Sequence, residues 1–205
     1  MVLTSTPSTW IENGDRLTQP EFHRRYERRP DLKKAELIEG VVYLPSPVRA
    51  TAHGDLHAQM TAWLGAFAST ARDARVSDNA TVILDTDNEV QPDLSLRRVD
   101  GGTSRLEDDY IVGPPELIIE IAASSAAIDL HDKKNAYRRN GVQEYIVWRV
   151  FDEAIDWWHL VDGEYRPLPT RDDGVVESNI FPGLRLHVPA MLRGDMATVL
   201  DCRRG

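Results

Sequence analysis

The feature that most constrains the fold is a strand, a helix and a second strand that follow one another within residues 115–150. The first strand, PELIIEI, is a nearly continuous apolar run, which is typical of a strand buried on both faces of a sheet. A helix is predicted for Asp129–Asn140, with Gly141 at its C-terminal end. The second strand covers Val142–Val150. Strands joined through a helix are parallel neighbours, so the sequence predicts an α/β fold.

The remaining patterns place further strands and helices on both sides of this unit. We expect residues 1–16 to be a loose tail and residues 17–205 to form a single domain, since one hydrophobic core suffices at this length. The other predicted elements are a helix over 18–29, a strand, turn and strand over 35–44, a helix over 53–72, two hairpin strands over 81–85 and 90–97, a loop over 99–114, an antiparallel meander over 153–187 and a helix over 189–200.

The charge and the apolar runs of the chain argue against several classes of protein. A formal net charge of −9 is unlike that of proteins that bind nucleic acid over much of their surface. No apolar run approaches the roughly 20 residues that span a bilayer, and the first residues lack the charged and apolar regions of a secretory signal. The single cysteine, Cys202, has no partner for an internal disulfide. We therefore expect a cytoplasmic protein that does not enter a membrane.

Two acidic residues on strands are candidates for chemistry. Glu120 lies within the apolar strand, and burying an ionised carboxylate is costly unless it is paired or binds a metal. Asp93 follows Pro92 at the start of another strand, where alternation places it on the face opposite Leu94. Glu120 alone is consistent with a half-solvated strand end, and Pro92-Asp93 alone is consistent with a turn. Carboxylates on two neighbouring strands instead favour a Mg²⁺ site.

A nearby lysine and a third acid extend this candidate site. Lys133 and Lys134 lie in the first turns of the helix that follows Glu120, one on each flank of its apolar face, so helical periodicity does not choose between them. A lysine among carboxylates would position water and stabilise charge on a phosphate, whereas an exposed lysine pair is the alternative interpretation. Glu36, in a half-buried strand, is a candidate for a further carboxylate or for a solvent-facing residue.

Other hydrolytic chemistries find no support among the motifs. The six histidines are scattered and no HExxH occurs, so a zinc site is not predicted. No GxSxG segment is present, which argues against a serine nucleophile on an α/β-hydrolase turn. Neither a P-loop nor a GxGxxG segment occurs.

The order Pro92-Asp93, then Glu120 in an apolar strand, then a lysine resembles the PD-(D/E)XK nuclease superfamily. One position departs from the pattern of that superfamily. The usual lysine stands two residues after the second acid, and here that position is Ala122.

A narrower resemblance accounts for this departure. The chain is similar to the Uma-two family, a large bacterial family grouped with restriction endonucleases, from about Leu17 to Pro189. The similarity depends on the order and spacing of several short motifs. These are Glu36-Leu-Ile-Glu-Gly40, Ser46-Pro47, His53 at a helix start, Pro92-Asp93, Pro115–Ile121, Asp129-Leu130 with Lys133 and Tyr137, and Gly141–Tyr145. In this family the lysine lies on the helix, and the position that aligns with it is Lys133.

The resemblance implies a fold and a mechanism. The fold would be restriction-endonuclease-like, with a mixed central sheet flanked by helices and an antiparallel C-terminal meander. The mechanism would be metal-assisted hydrolysis of DNA phosphodiester bonds. Asp93 and Glu120 would hold Mg²⁺, for which Mn²⁺ would be a substitute. Glu36 and Lys133 would complete the catalytic set, with Lys133 orienting or activating the attacking water.

Accessory residues, partners and alternative functions complete the hypothesis. His53 and Tyr137 are accessory site candidates, although a surface position is the alternative for His53. We expect a homodimer, because two-strand cleavage is commonly carried out by a symmetric pair. One alternative is a non-catalytic nucleic-acid-binding or regulatory module that keeps the nuclease fold, which the acidic charge favours. Another is a hydrolase of smaller phosphoesters, which a deep closed pocket would favour.

Overall fold

The computed structural model describes residues 10–44, 54–123 and 125–202. Its helical segments are α1 (Gln19–Tyr26), α2 (Asp55–Ala68), α3 (Ala126–Ile128), a π-helical segment (Asp129–Lys133), α4 (Lys134–Asn140), α5 (Val188–Leu192) and α6 (Met196–Asp201). Its strands are β1 (Glu36–Ile38), β2 (Val41–Tyr43), β3 (Ala74–Asp78), β4 (Val82–Asp85), β5 (Asn88–Val90), β6 (Leu94–Arg98), β7 (Arg105–Glu107), β8 (Tyr110–Val112), β9 (Leu117–Ala122), β10 (Glu144–Arg149), β11 (Ala154–Val161), β12 (Glu164–Pro167), β13 (Val175–Glu177) and β14 (Arg185–His187).

Two mixed sheets carry most of these strands. Sheet A has the order β2-β1-β5-β4-β8-β7, and sheet B has the order β12-β11-β10-β9-β6-β3. Strands β9 and β10 are parallel neighbours at the centre of sheet B, with Ile118 opposite Tyr145, as the predicted crossover requires. The C-terminal part contains the antiparallel pairs β11–β12 and β13–β14. The predicted mixed sheet, flanking helices and antiparallel C-terminal strands are therefore confirmed.

The centre of sheet B is buried on both faces, because alternate residues of β9 enter two different hydrophobic clusters. Ile119 and Ile121 pack on the face covered by α2 and the C-terminal helices. Ile118 and Ala122 pack on the opposite face, against α4 and residues of sheet A. The same alternation directs Glu120 to this second face, where sheet A lies.

The strand predicted over residues 90–97 is divided between the two sheets. Strand β5 ends at Val90 in sheet A, and β6 begins at Leu94 in sheet B. Pro92 lies between them and has no N–H to donate to a strand ladder, which explains why one continuous strand does not form. The three residues Gln91, Pro92 and Asp93 therefore connect the sheets directly.

Three short strands occur where the sequence predicted no strand. Strands β7 and β8 form a hairpin inside the predicted loop over 99–114, with Asp108 and Asp109 at positive φ in its turn. All residues of β7 are exposed, so its sequence lacks the alternation of apolar and polar residues by which a strand is recognised. Strand β3, at the edge of sheet B beside β6, was also absent from the prediction.

The helices differ from their predicted bounds. Thr18 precedes α1, but its side chain forms no cap hydrogen bond, and Glu21 instead accepts hydrogen bonds from Arg24 and Arg25. The segment Thr18-Gln-Pro-Glu21 has the sequence spacing of a capping box, but no such box forms. The helix after β9 begins at Ala126 rather than at residue 129. The predicted C-terminal helix is two helices, α5 and α6.

The described end of the predicted N-terminal tail packs against sheet A. Ile11 is buried, the Gly14 N–H donates to the Val42 carbonyl, and Arg16 bridges to Val41. The buried Ile11 side chain and these backbone contacts hold the segment beside β2. Residues 10–16 are therefore not the loose tail that we expected. None of the helices in the described ranges has both the length and the apolar character that a membrane-spanning helix needs.

The central strand should dominate the stability of the fold. Ile119→Ala removes a fully buried side chain from β9, so we expect the free energy of unfolding to fall by about 2–5 kcal/mol. Leu106 on β7 is 54% exposed, so Leu106→Ala should change the free energy of unfolding by less than about 0.5 kcal/mol. Urea denaturation followed by circular dichroism measures both. Equal losses in the two variants would show that β9 is not central to the core.

Candidate active site

The two predicted strand carboxylates lie side by side in sheet B. Strands β6 and β9 are antiparallel, and Leu94 lies opposite Ile119. Continuing this register by one residue places Asp93 opposite Glu120. Both side chains are buried. The structure therefore brings together the pair that the strand patterns predicted.

Asp93 is fixed by contacts to both of its oxygen atoms. Its Oδ2 atom accepts a hydrogen bond of 2.7 Å from the backbone N–H of Ile121. Its Oδ1 atom lies 3.8 Å from the Nζ atom of Lys34, which precedes β1. One oxygen is thus held by the central strand while the other faces a cation. No sequence pattern selected Lys34, because it belongs to an ordinary Lys33-Lys34 pair.

Glu36 reaches the same place from sheet A. It is buried, and its Oε1 atom accepts a hydrogen bond of 2.8 Å from the backbone N–H of Gln91. The Nζ atom of Lys133 lies 2.9 Å from the same oxygen. Of the two interpretations that the sequence left open for Glu36, the structure supports the carboxylate that joins the cluster.

Lys133 lies at the centre of the acidic cluster. Its ammonium donates a hydrogen bond of 3.0 Å to Oε1 of Glu120, and its side chain is only 4% exposed. Lys134 points elsewhere, with its Nζ atom 3.5 Å from the ring centre of Trp158. The structure thus resolves the choice that helical periodicity could not make.

Asp129 is a member of the cluster that the sequence reasoning missed. It was predicted only as the first residue of a helix, but it lies inside the π-helical segment and is buried. Its Oδ1 atom is 3.7 Å from the Nζ atom of Lys133 and has no hydrogen-bond partner among the described atoms. Its Oδ2 atom accepts a hydrogen bond from the hydroxyl of Ser125. The four-residue spacing from Asp129 to Lys133 was the signal available in the sequence.

Two buried tyrosines form the inner wall of the cluster. The hydroxyl of Tyr137 donates a hydrogen bond of 2.8 Å to Oε1 of Glu120, which places this accessory candidate in direct contact with the site. The hydroxyl of Tyr145 donates to the backbone carbonyl of Asp129. Burial and the adjacent carboxylates raise the pKa of both phenols well above the usual value, so both hydroxyls remain hydrogen-bond donors.

The other accessory candidate, His53, lies outside the described residues. His57, near the start of α2, approaches the site. Its Nε2 atom is 3.2 Å from the backbone carbonyl of Asp93 and 3.3 Å from Oδ1 of Asp78. The sequence reasoning did not select this histidine, because no pattern distinguished it from a surface residue of the helix.

The cluster contains more acidic than basic groups. Burial raises the pKa of Glu120 to about 8; Lys133 opposes this rise, and Asp129, Asp93 and Glu36 add to it. Burial alone would lower the pKa of Lys133, but Glu120, Glu36 and Asp129 raise it well above its usual value. Lys133 therefore stays protonated, and the excess negative charge is the unfavourable feature of the cluster.

A divalent cation suits this donor set in charge and chemistry. The carboxylates of Glu36, Glu120 and Asp129 lie within 3.7 Å of the buried Lys133 ammonium, and Asp93 acts electrostatically on Glu120. Among the described residues, Asp129 Oδ1 is a buried acceptor without a hydrogen-bond partner. Oxygen atoms of carboxylates are the ligands that Mg²⁺ uses, together with water. In the described ranges, no three histidine, cysteine or acidic side chains already form a ligand group. The argument for a metal at this site therefore depends on the excess of acidic over basic side chains in the cluster.

Comparisons with known proteins point in the same direction. The profile of the Uma2 family, described as "Putative restriction endonuclease", matches residues 19–189. Among solved structures, the chain is similar to a putative nuclease belonging to DUF820 from Anabaena variabilis ATCC 29413, with a TM-score of 0.65 and 17% sequence identity over 83% of this chain and 96% of that chain. No match was found among curated proteins. The structural likeness confirms the predicted nuclease fold.

The raised pKa of Glu120 makes stability depend on pH in the absence of metal. The folded chain holds the Glu120 proton more tightly than the unfolded chain, in which the pKa is near 4.5. The free energy of unfolding should therefore fall as pH rises from about 5 through about 8. Glu120→Gln removes this titration and should flatten the decline, whereas Glu107→Gln, on the exposed strand β7, should retain it. Urea denaturation in chelator across this pH range measures the effect; parallel curves for Glu120→Gln and wild type would contradict it.

The two neighbouring lysines should differ sharply in their effect on stability. Lys133→Met leaves buried carboxylates without their cation, so we expect a loss of about 3–5 kcal/mol. Lys134→Met removes a contact between an ammonium and the Trp158 ring and should cost about 0.5–1 kcal/mol. Urea denaturation at pH 7.5, with chelator present, compares the two variants directly. A loss of similar size in both would argue against Lys133 as the counter-ion of the cluster.

Proposed function

The chain belongs to the Uma2 family, and from this premise we propose that it is a metal-dependent endonuclease that hydrolyses phosphodiester bonds in DNA. The observation that supports the proposal most strongly is the contact of Lys133 with Glu120 and Glu36 beside Asp93. An exposed Lys133 would instead have favoured a binding module without catalysis. The arrangement of two strand carboxylates and a lysine also supports membership of the PD-(D/E)XK superfamily.

We assign Mg²⁺ to Asp93 and Glu120, with Mn²⁺ as a substitute. The metal would supply Lewis-acid stabilisation of the charge that develops on the phosphate and would lower the pKa of a bound water. Glu36 contributes a third carboxylate to the same cluster. A divalent cation bound there would favour the ionised form of Glu120, whose pKa burial otherwise raises to about 8.

Each protein group has a separate task in this proposal. Lys133 remains protonated, so it orients Glu120, Glu36 and nearby water by donating hydrogen bonds rather than by removing a proton. The Tyr137 hydroxyl orients Glu120 by donating a hydrogen bond to its Oε1 atom. The Ile121 N–H orients Asp93 by donating a hydrogen bond to its Oδ2 atom. These contacts preorganise the site, so that little rearrangement is needed when substrate binds.

The proposed partners are DNA as substrate and a second copy of the chain. DNA is the substrate because the family is one of restriction endonucleases by description. A homodimer would supply two sites for two strands, which remains our proposal from the general use of symmetric pairs. We also propose a cytoplasmic location and a single domain over residues 17–205.

Plasmid nicking tests the proposed activity. We expect wild-type protein to convert supercoiled plasmid to the open-circular form with Mg²⁺ or Mn²⁺ and to be inactive in excess chelator. Asp93→Asn should reduce the rate by about 100-fold or more, because it removes the charge of a metal-binding carboxylate. Asp100→Asn, an exposed residue with the same chemical change, is the matched control and should keep full activity. Equal nicking by all three proteins would indicate a contaminating nuclease and reject the proposal.

A further inference from the structure

Lys133 is too deeply buried to contact a DNA phosphate directly. Its side chain is only 4% exposed, and its ammonium lies within 3.7 Å of oxygen atoms from Glu36, Glu120 and Asp129. A phosphate group of DNA cannot reach an ammonium that is enclosed by carboxylates. Lys133 therefore compensates charge inside the protein, and any lysine that contacts the phosphate beside the proposed metal must lie nearer the solvent.

Lys34 has the position that such a cation requires. Its side chain is 24% exposed, so its ammonium has access to solvent. Its Nζ atom lies 3.8 Å from Oδ1 of Asp93, which is an ion-pair distance but longer than a hydrogen bond. The Nζ–H groups of Lys34 therefore keep capacity to donate to another acceptor. The other oxygen of Asp93 is already held by the Ile121 N–H, so the carboxylate keeps its orientation independently of Lys34.

The negative charge of a DNA phosphate favours a cation at the position of Lys34. The excess of acidic over basic groups in the cluster repels a DNA phosphate that approaches the site. A lysine acts on phosphate as a compact positive charge with several donors, without the fixed geometry of arginine. The partly exposed side chain of Lys34 beside Asp93 would offset this repulsion at the point where the reacting group must come close.

We propose that Lys34 is a substrate-binding residue that donates to a non-bridging oxygen of the DNA phosphate beside Asp93. This inference rests on the proposed endonuclease function and specifies which residue binds the substrate. It assigns different tasks to two lysines: Lys133 holds the carboxylates in place, and Lys34 contacts the phosphate.

Salt dependence of DNA binding tests this assignment without relying on cleavage. Fluorescence anisotropy of a labelled duplex, in chelator and at several salt concentrations, gives the slope of log affinity against log salt. Loss of one phosphate contact reduces the magnitude of that slope by about 0.9. We expect this change, with weaker binding at low salt, for Lys34→Gln. Lys34→Arg should retain most of the wild-type slope because it keeps the charge.

Lys33→Gln is the matched control, since Lys33 is the exposed neighbour of Lys34 with the same charge. It should leave the slope and the plasmid-nicking rate unchanged. Circular dichroism and urea denaturation of both variants verify that they fold as wild type does.

The outcomes separate this inference from the function on which it rests. If wild-type protein neither binds nor nicks DNA, the endonuclease proposal is rejected, and the role of Lys34 with it. If wild type is active but Lys34→Gln has an unchanged slope, the assignment of Lys34 alone is rejected. A reduced nicking rate with an unchanged slope also rejects it, because Lys34 would then act only through Asp93. A reduced slope in Lys34→Gln, with Lys33→Gln at the wild-type value, supports it.

Discussion

The contact between the Lys133 ammonium and the carboxylates of Glu120 and Glu36 is the interaction on which the rest of the site depends. Each carboxylate is buried in a different sheet, and an ionised acid in the interior is unfavourable unless a cation or hydrogen bonds compensate it. One lysine meets both acids at about hydrogen-bond distance. Because Asp129 and Asp93 are also close, the compensation is incomplete, which is the condition that suits a divalent cation.

The secondary structure around Lys133 explains how one side chain reaches both sheets. It lies at the end of a π-helical segment, which is a wider helical turn than the α-helix and is frequent at functional sites. The segment crosses from the centre of sheet B to α4, and α4 packs on the face of sheet B that turns toward sheet A. Lys133 is thereby directed inward, while its neighbour Lys134 lies over Trp158.

The sequence predicted the parts of the site that follow strand and helix patterns, and missed the parts that depend on tertiary contacts. Asp93 and Glu120 could be found because alternation along a strand assigns each residue to a face. Lys133 could be separated from Lys134 only by resemblance to a family, because the π-helical segment departs from the periodicity on which the helix prediction relied. Lys34 and His57 lie near Asp93 through the approach of separate segments, which no local pattern records. The short strands β3 and β7 were missed for a similar reason, since neighbouring strands rather than their own apolar spacing define them.

The connection of the two sheets by Gln91, Pro92 and Asp93 has a consequence for how the protein matures. The Gln91 N–H holds Glu36 of sheet A, and two residues later Asp93 is held by Ile121 of sheet B. A chain in which only one sheet has formed would therefore possess isolated acids but no assembled cluster. The acidic cluster would therefore be complete only after the two sheets have docked in register.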